Sequence, residues 1–158
     1  MAAGTQTGTH TVVAAGQYTA TLTHPLWNNG TPVSVEGFKL EGQMLQAQQL
    51  MDSAKVIALA NGNTITITNN NKAGTITFNV TATGGNGDLV KIARYLKRVG
   101  DSQGGTIRIT QEINGATDGM TYYACTVKSC PDQIIQGNDA PDYQVVFNYG
   151  ESQPDQST

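Results

Sequence analysis

Two-residue alternation of apolar and polar side chains runs through most of this chain and restricts what it can become. In residues 11–23, Val12, Ala14, Tyr18, Ala20 and Leu22 fall on one side while Gln17, Thr19, Thr21 and Thr23 fall on the other. An extended strand points successive side chains to opposite faces, so a segment of this kind buries one face only as part of a sheet. The same pattern marks residues 32–40 (Val33, Val35, Phe38), 55–60, 64–68, 75–83, 105–113, 120–129 and 142–149. In residues 75–83, Ile76, Phe78 and Val80 oppose Thr75, Thr77, Asn79 and Thr81; in residues 142–149, Tyr143, Val145, Phe147 and Tyr149 face inward. Turn signals separate the runs: His24-Pro25, Asn28-Asn29-Gly30, Asn61-Gly62-Asn63, the Asn- and Gly-rich residues 69–74, and residues 114–119. Residues 64–83 therefore read as one hairpin about the 69–74 connection.

Residues 89–99 break the pattern. Leu89, Ile92, Ala93, Leu96 and Val99 recur at helical spacing, with Lys91, Arg94, Lys97 and Arg98 on the opposite side. Asp88 stands where an N-cap belongs and Gly100 where the carboxyl end should close. Residues 41–53, rich in Gln and Met, fit neither period and read as a short helix or as a loop that orders against a partner. The sum is seven or eight strands and one helix in a single domain over residues 1–158, with a flexible start at 1–10 and a polar tail at 151–158. The expected architecture is mainly β: two packed antiparallel sheets, a β-sandwich or flattened barrel, flanked by one α-helix.

Composition sharpens this. The 158 residues are 13% charged, about half the usual share, yet only 38% hydrophobic, and the formal net charge is -3. Thr, Asn, Gln and 18 Gly fill the difference. Solvent-facing strands usually carry Lys and Glu, which discourage edge-to-edge pairing; residues 64–83 carry one charge, Lys72. A sheet without that protection suits pairing with a neighbour, and a head-to-tail contact of the right rotation closes a ring. An acidic chain of this kind is a poor fit to a basic nucleic-acid binder. No run approaches the roughly 18 apolar residues of a membrane span, and residues 1–10 have no secretory-signal character.

Nothing in the chain spells out a reaction. His10 and His24 sit in no nucleophile motif, the carboxylates are dispersed, and Gly84-Gly85-Asn86-Gly87 lacks the Lys-Ser/Thr of a phosphate loop. No cofactor or metal is expected. Cys125 and Cys130 lie five residues apart, on opposite faces of a continuous strand and about 16 Å apart, beyond disulfide reach unless the strand breaks; they read as buried or half-buried thiols. Four of the nine basic residues lie within the helix, at Lys91, Arg94, Lys97 and Arg98. That face reads as a solvated surface, a docking strip for an acidic partner, or a nucleic-acid contact. Trp27 with Tyr18, Tyr122 and Tyr123 leaves open a carbohydrate platform on a monomeric or small-oligomer binding module, such as a virion decoration; core or loop anchoring is the other reading.

The run Ala60-Asn61-Gly62-Asn63 … Asn70-Asn71-Lys72-Ala73-Gly74-Thr75-Ile76-Thr77-Phe78-Asn79-Val80, a Gly- and Asn-rich turn and then an amphipathic helix resembles the tail tube (inner tube) proteins of contractile-tailed bacteriophages. The similarity spans residues 56–96, and the closing strand 143–149 fits the family's last strand. The resemblance implies a structural virion protein, not an enzyme: a β-sandwich protomer forming homohexameric rings that stack into the tail tube. It implies a location in the virion tail after assembly in the host cytoplasm. The implied partners are further copies of the chain, the tail sheath, and the tape measure and baseplate proteins. DNA would pass through the lumen without specific binding. On that footing Thr64, Thr66, Thr68, Thr75, Thr77, Asn79 and Thr81 become lumen or ring-closing positions, since basic side chains there would hold phosphate. Lys91, Arg94, Lys97 and Arg98 become contacts with sheath or neighbour, and Gln43, Met44, Gln46, Gln48 and Met51 become ring-stacking positions.

Overall fold

A computed structural model describes residues 18–38, 45–68, 71–100, 103–113, 115–135, 137 and 141–155. The strands are β1 (Tyr18–Thr23), β2 (Val33–Ser34), β3 (Leu45–Gln49), β4 (Ala54–Ala58), β5 (Thr64–Thr68), β6 (Gly74–Val80), β7 (Gly105–Ile113), β8 (Ala116–Ser129), β9 (Tyr143–Tyr149) and β10 (Glu151–Pro154). One helix, α1 (Leu89–Val99), follows β6. The expected chain segments at 1–10 and 11–17 lie outside the described residues, as do Gln43 and Met44.

All strand pairing is antiparallel, along the path β2-β1-β7-β8-β9-β6-β3, with β10 also on β8 and with β4-β5 as a separate pair. The path folds over on itself along β8. The first half of β8 pairs with β7 and β10, the second half with β9. Ala124 marks the crossing with a φ of 56°, a left-handed conformation uncommon outside Gly. Gly150 breaks the facing strand into β9 and β10, and its amide donates to the Tyr123 carbonyl (3.0 Å). This is how one continuous ladder supplies both layers of a sandwich. The layers face each other through Ala20, Leu22 and Ile107 on one side and Ile76, Phe78, Val80, Val145 and Phe147 on the other, in one buried cluster.

Helix α1 joins that cluster with Leu89, Val90, Ile92, Ala93 and Leu96. Its start is fastened by Asp88, which is 2% exposed. One carboxylate oxygen accepts from the Val90 amide (3.1 Å) and the other from the Gly84 amide (3.0 Å). Gly100 closes the far end at φ 75°, its amide donating to Leu96 O. The expected helix, cap and terminator are therefore all in place.

Several expectations are corrected. Residues 64–83 are not a hairpin: β5 pairs with β4, and β6 pairs with β3 and β9. The reason is tertiary, because β6 is buried on its apolar side and is paired on both edges, by seven-residue β9 along its whole length and by β3 on the other. Within residues 41–53, β3 forms instead of a helix or loop. Its alternation was hidden because small Ala47 and the long Gln side chains give little contrast in hydrophobicity. The presumed polar tail starts with β10. The 114–119 connection is shorter than expected, since β7 and β8 pair up to Ile113–Ala116. Of residues 32–38, the described part of the 32–40 run, only Val33–Ser34 is strand, with single bridges from Glu36 to Asp88 and Phe38 to Val80. Cys125 and Cys130 are both buried and form no disulfide. Burial pushes the Cys130 thiol up from its ordinary pKa, against the opposing pull of Lys97 and Arg94.

Candidate functional site: an uncharged sheet face and a projecting hairpin

The outer face of the β3-β6-β9 layer is built by alternation. Because Ile76, Phe78 and Val80 point into the core, Thr75, Thr77 and Asn79 point out, and all three are partly exposed. Antiparallel partners share a face, so the register extends these positions into rows. Gln48, Thr75, Asn148 and Thr126 form one row; Gln46, Thr77 and Val146 form the next; Asn79 and Gln144 form a third. None of these residues is charged. Two groups assigned to different roles from sequence thus occupy one surface, Gln46 and Gln48 beside Thr75, Thr77 and Asn79. Thr81 does not join it. It follows the end of β6 with its amide donating to Gly37 O (2.9 Å) and its hydroxyl buried without a hydrogen-bond partner.

The core lies on the other face of this layer, and α1 is part of that core, so the helix and the uncharged face are on opposite sides of one sheet. The four basic residues of α1 divide by use. Lys97 Nζ donates to Asp132 Oδ1 (2.8 Å) and to Cys130 O (2.8 Å), and Arg94 donates to Asp132 O (2.8 Å). These two pin the segment that leaves β8, and Lys97 holds the Asp132 carboxyl below the usual carboxylate range, first through the hydrogen bond. Lys91 and Arg98 are exposed, with no ion pair among the described residues. The strip available to a partner is therefore narrower than four bases at helical spacing suggest.

Thr64, Thr66 and Thr68 go elsewhere, to a β4-β5 hairpin whose ten strand residues are all exposed. One face carries Ile57 and Ile65, with Lys55 opposite Ile67; the other carries Val56, Ala54 and Ala58 opposite Thr66, Thr68 and Thr64. Of the twelve large apolar residues exposed among the described ones, seven lie between Leu50 and Ile67, which makes this a patch rather than scatter. Met51, exposed, lines an open groove of about 630 Å³ at the hairpin base with Leu50, Ala54, Lys55 and Ile67.

The far end of the sandwich is fastened by an ion pair that sequence reasoning missed. Arg108 on β7 reaches across β8 to Asp155 in bidentate fashion (2.9 and 2.7 Å) and also donates to Thr121 Oγ1 (3.0 Å). Gly119 leaves the space for it, since a Cβ there would meet both Asp155 Oδ2 (2.5 Å) and Arg108 Nη2 (3.0 Å). The Arg108 hydrogen bonds hold the Asp155 carboxyl below its ordinary range. A carboxylate stabilised in this way supports the fold at neutral pH and stops doing so as pH falls through its lowered pKa. Hydrogen-exchange protection of the Gln153 and Asp155 amides is thus expected to drop below about pH 4, while that of β9 persists. Arg108→Gln should remove the pH dependence.

Among the described residues, no group of three or more His, Cys, Asp and Glu could hold a metal, and no helix is long and apolar enough to cross a membrane. His24 is buried and its Nδ1 accepts from the Leu26 amide (3.0 Å). The aromatic platform is not assembled. Trp27 packs edge-on against Tyr95 (5.6 Å), while Tyr122 is buried against Tyr149 (4.8 Å).

The described residues form a two-layer antiparallel β protein with one helix in its core and a hairpin that pairs with no other described strand, and solved structures of the same fold exist. Over 99% of this chain and 100% of theirs, the chain matches the cap that terminates the tube of the anti-feeding prophage, with a TM-score of 0.58 at 13% identity. Over 94% of this chain and 100% of theirs, it matches the PVC sheath/tube terminator of an extracellular contractile injection system in its extended state, with a TM-score of 0.59 at 9% identity. At these identities the likeness establishes the fold. No protein-family model and no curated sequence matches the chain.

Proposed function

We propose that this chain is a structural, non-catalytic component of a contractile-tail-type particle, a subunit of a ring at the tube. The observation that carries the proposal is the uncharged face of Gln46, Gln48, Thr75, Thr77, Asn79, Gln144 and Asn148 on the side of the sheet opposite α1. In a ring that face turns to the axis. There it presents hydrogen-bonding groups without fixed charge, so a polymer such as DNA slides past without retention. The helix then faces outward and offers Lys91 and Arg98 to an acidic surface on a surrounding sheath. Self-association, homohexameric by the family resemblance, comes first; contacts with sheath, tape measure and baseplate follow from position in the particle.

End-to-end likeness to two tube-terminating proteins favours a place at the end of the tube over a repeating position along it. The repeating tube subunit is the second reading, favoured by the 60–80 sequence run and the helix after it. Negative-stain microscopy of the purified chain at rising concentration separates them. Discrete closed rings are expected; open-ended tubes mark the repeating subunit. A compact monomer at every concentration overturns the proposal and returns the chain to a binding module.

A further inference from the structure

Among the described residues, the open edges of β10 and β3 differ in a way that decides which one invites a partner. On β10, the Asp155 amide bonds to Gly119 O (2.9 Å). Alternation then turns the backbone of residues 151, 153 and 155 toward β8 and that of 152 and 154 outward. Pro154 therefore sits at an outward position and has no N–H to offer, the usual protection of an edge. On β3, the Leu50 amide bonds to Ala73 O (3.0 Å) in register with the β3-β6 ladder. The backbone of Gln46 and Gln48 therefore faces β6, and that of Leu45, Ala47 and Gln49 faces the open side. Within β3 neither Pro nor a charged residue guards this edge, and among the described residues β3 ends the strand path. Beside it lies an open groove of about 180 Å³, between β3 (Leu45, Ala47) and the facing layer (Ile109, Met120, Tyr122), with Asp118 and Gln111 at its rim.

The hairpin carries the matching half. The Leu59 amide bonds to Asn63 O (2.7 Å) in register with β4-β5, so Ile65 and Ile67 turn their backbones to β4 while Thr64, Thr66 and Thr68 turn theirs outward. In a parallel pair, the residue that bonds outward sits opposite one that does not, and opposite residues share a face. Parallel addition of β5 to β3 thus sets Ile65 beside Leu45 and Ile67 beside Ala47, over the groove. It sets Thr66 beside Gln46 and Thr68 beside Gln48, on the uncharged face. Antiparallel addition reverses the faces, sending the threonines into the groove and leaving both isoleucines exposed, so hydrophobic burial selects the parallel sense.

We propose that β5 of one copy adds in parallel to the open edge of β3 of the next copy, with Ile65 and Ile67 seated in the β3-β7-β8 groove. This rests on the ring reading and names the contact that closes the ring. The occupant is a second copy because chemistry on both sides matches. Strand lengths are equal at five residues, apolar Ile65 and Ile67 (47% and 51% exposed) meet an apolar groove, and Lys55, the hairpin's charge on the Ile face, meets Asp118 at the rim. β5 rather than β4 is the donor, since β4 would press Lys55 toward the groove. Donor and acceptor surfaces differ, so the contact is head-to-tail and self-propagating. It unites Thr64, Thr66 and Thr68 with Thr75, Thr77 and Asn79 across the subunit boundary, on one uncharged wall. Main-chain pairing gives the grip and alternate side chains in a groove give the register.

The test mixes two full-length variants, Gln46→Cys and Thr66→Cys, under mild oxidation or with a short bismaleimide. Cross-linked dimers in the mixture and not in either variant alone are expected, with Ile65→Asp/Ile67→Asp abolishing both cross-link and rings while far-UV circular dichroism stays native. Rings without this cross-link overturn the pairing and leave the ring reading intact. A cross-link between Gln46→Cys and Ile67→Cys in place of the first pair overturns the parallel sense and with it the proposal. A monomer at every concentration, with no cross-link, overturns both. A native double-Asp variant that still forms rings assigns the hairpin's cover to another partner and overturns the proposal.

Discussion

Replacing Phe78 with alanine is expected to cost about 3–5 kcal/mol of folding stability, the range for truncating a buried aromatic. Phe78 is fully buried at the middle of β6, with Phe147 edge-on at 5.9 Å and Phe38 at 6.1 Å. Removing it takes away an aromatic contact on each side and leaves a cavity that a rigid sheet cannot collapse into. Against a total stability of about 5–15 kcal/mol, the loss is a large share. At roughly 2–4 °C per kcal/mol for a domain of this size, the Tm should fall by about 6–20 °C in a calorimetric or circular-dichroism melt. Thr77→Ala, one residue away on the outer face, is the control and should stay within about 0.5 kcal/mol of the parent. Similar losses for both would mean that the two faces of β6 are not divided into core and surface as described. The contrast bears on the proposed function, because the residues that stabilise the sheet and the residues proposed to line a lumen are interleaved without sharing a job.

Asp88→Ala should cost about 2–3 kcal/mol, more than an ordinary cap, since it strands two amide donors rather than one. The carboxylate joins the helix start at Val90 to the turn at Gly84, and the residue also bridges to Glu36 beyond β2. Loss of the side chain thus loosens the hinge that sets α1 against the sheet. Urea titration should show a lower midpoint with an unchanged slope, as a stability change without loss of compactness requires. Asp88→Asn keeps one acceptor and should fall between parent and alanine. An Asp88→Ala midpoint equal to that of the parent would remove Asp88 from any role in holding the helix. Because α1 carries Lys91 and Arg98, the sheath contact proposed for this face should weaken in the same variant before the fold is lost.

How much of this was readable beforehand varies by segment, for a physical reason in each case. α1 was legible to the residue because all its signals are local: Asp88 before the stripe, Leu89, Ile92, Ala93 and Leu96 within it, Gly100 after it. The inward sides of β6 and β9 were legible because large apolar residues recur there at every second position, with Val146 the one apolar residue on the outward side of β9. β3 was not, since Gln and Ala alternate weakly and its partner β6 arrives from 25 or more residues along the chain. β10 was not, since three polar residues and Pro154 become a strand only when β8 pairs with them and Arg108 holds the Asp155 that follows.

The candidate site divides along the same line. That Thr, Asn and Gln replace charge on the strand faces is a property of the residue order and survives any pairing. Which of those residues share a surface is not. Thr64, Thr66 and Thr68 look identical in pattern to Thr75, Thr77 and Asn79, yet one set lies on an exposed hairpin and the other on the sandwich. Local alternation determines which side of its own strand a residue occupies, and the sequence alone was enough for that. Neighbouring strands are set by non-local pairing, in which β6 is held by β3 and β9 and β5 is left with β4. That choice depends on how much apolar area the whole chain can bury at once. It is made only in the tertiary structure.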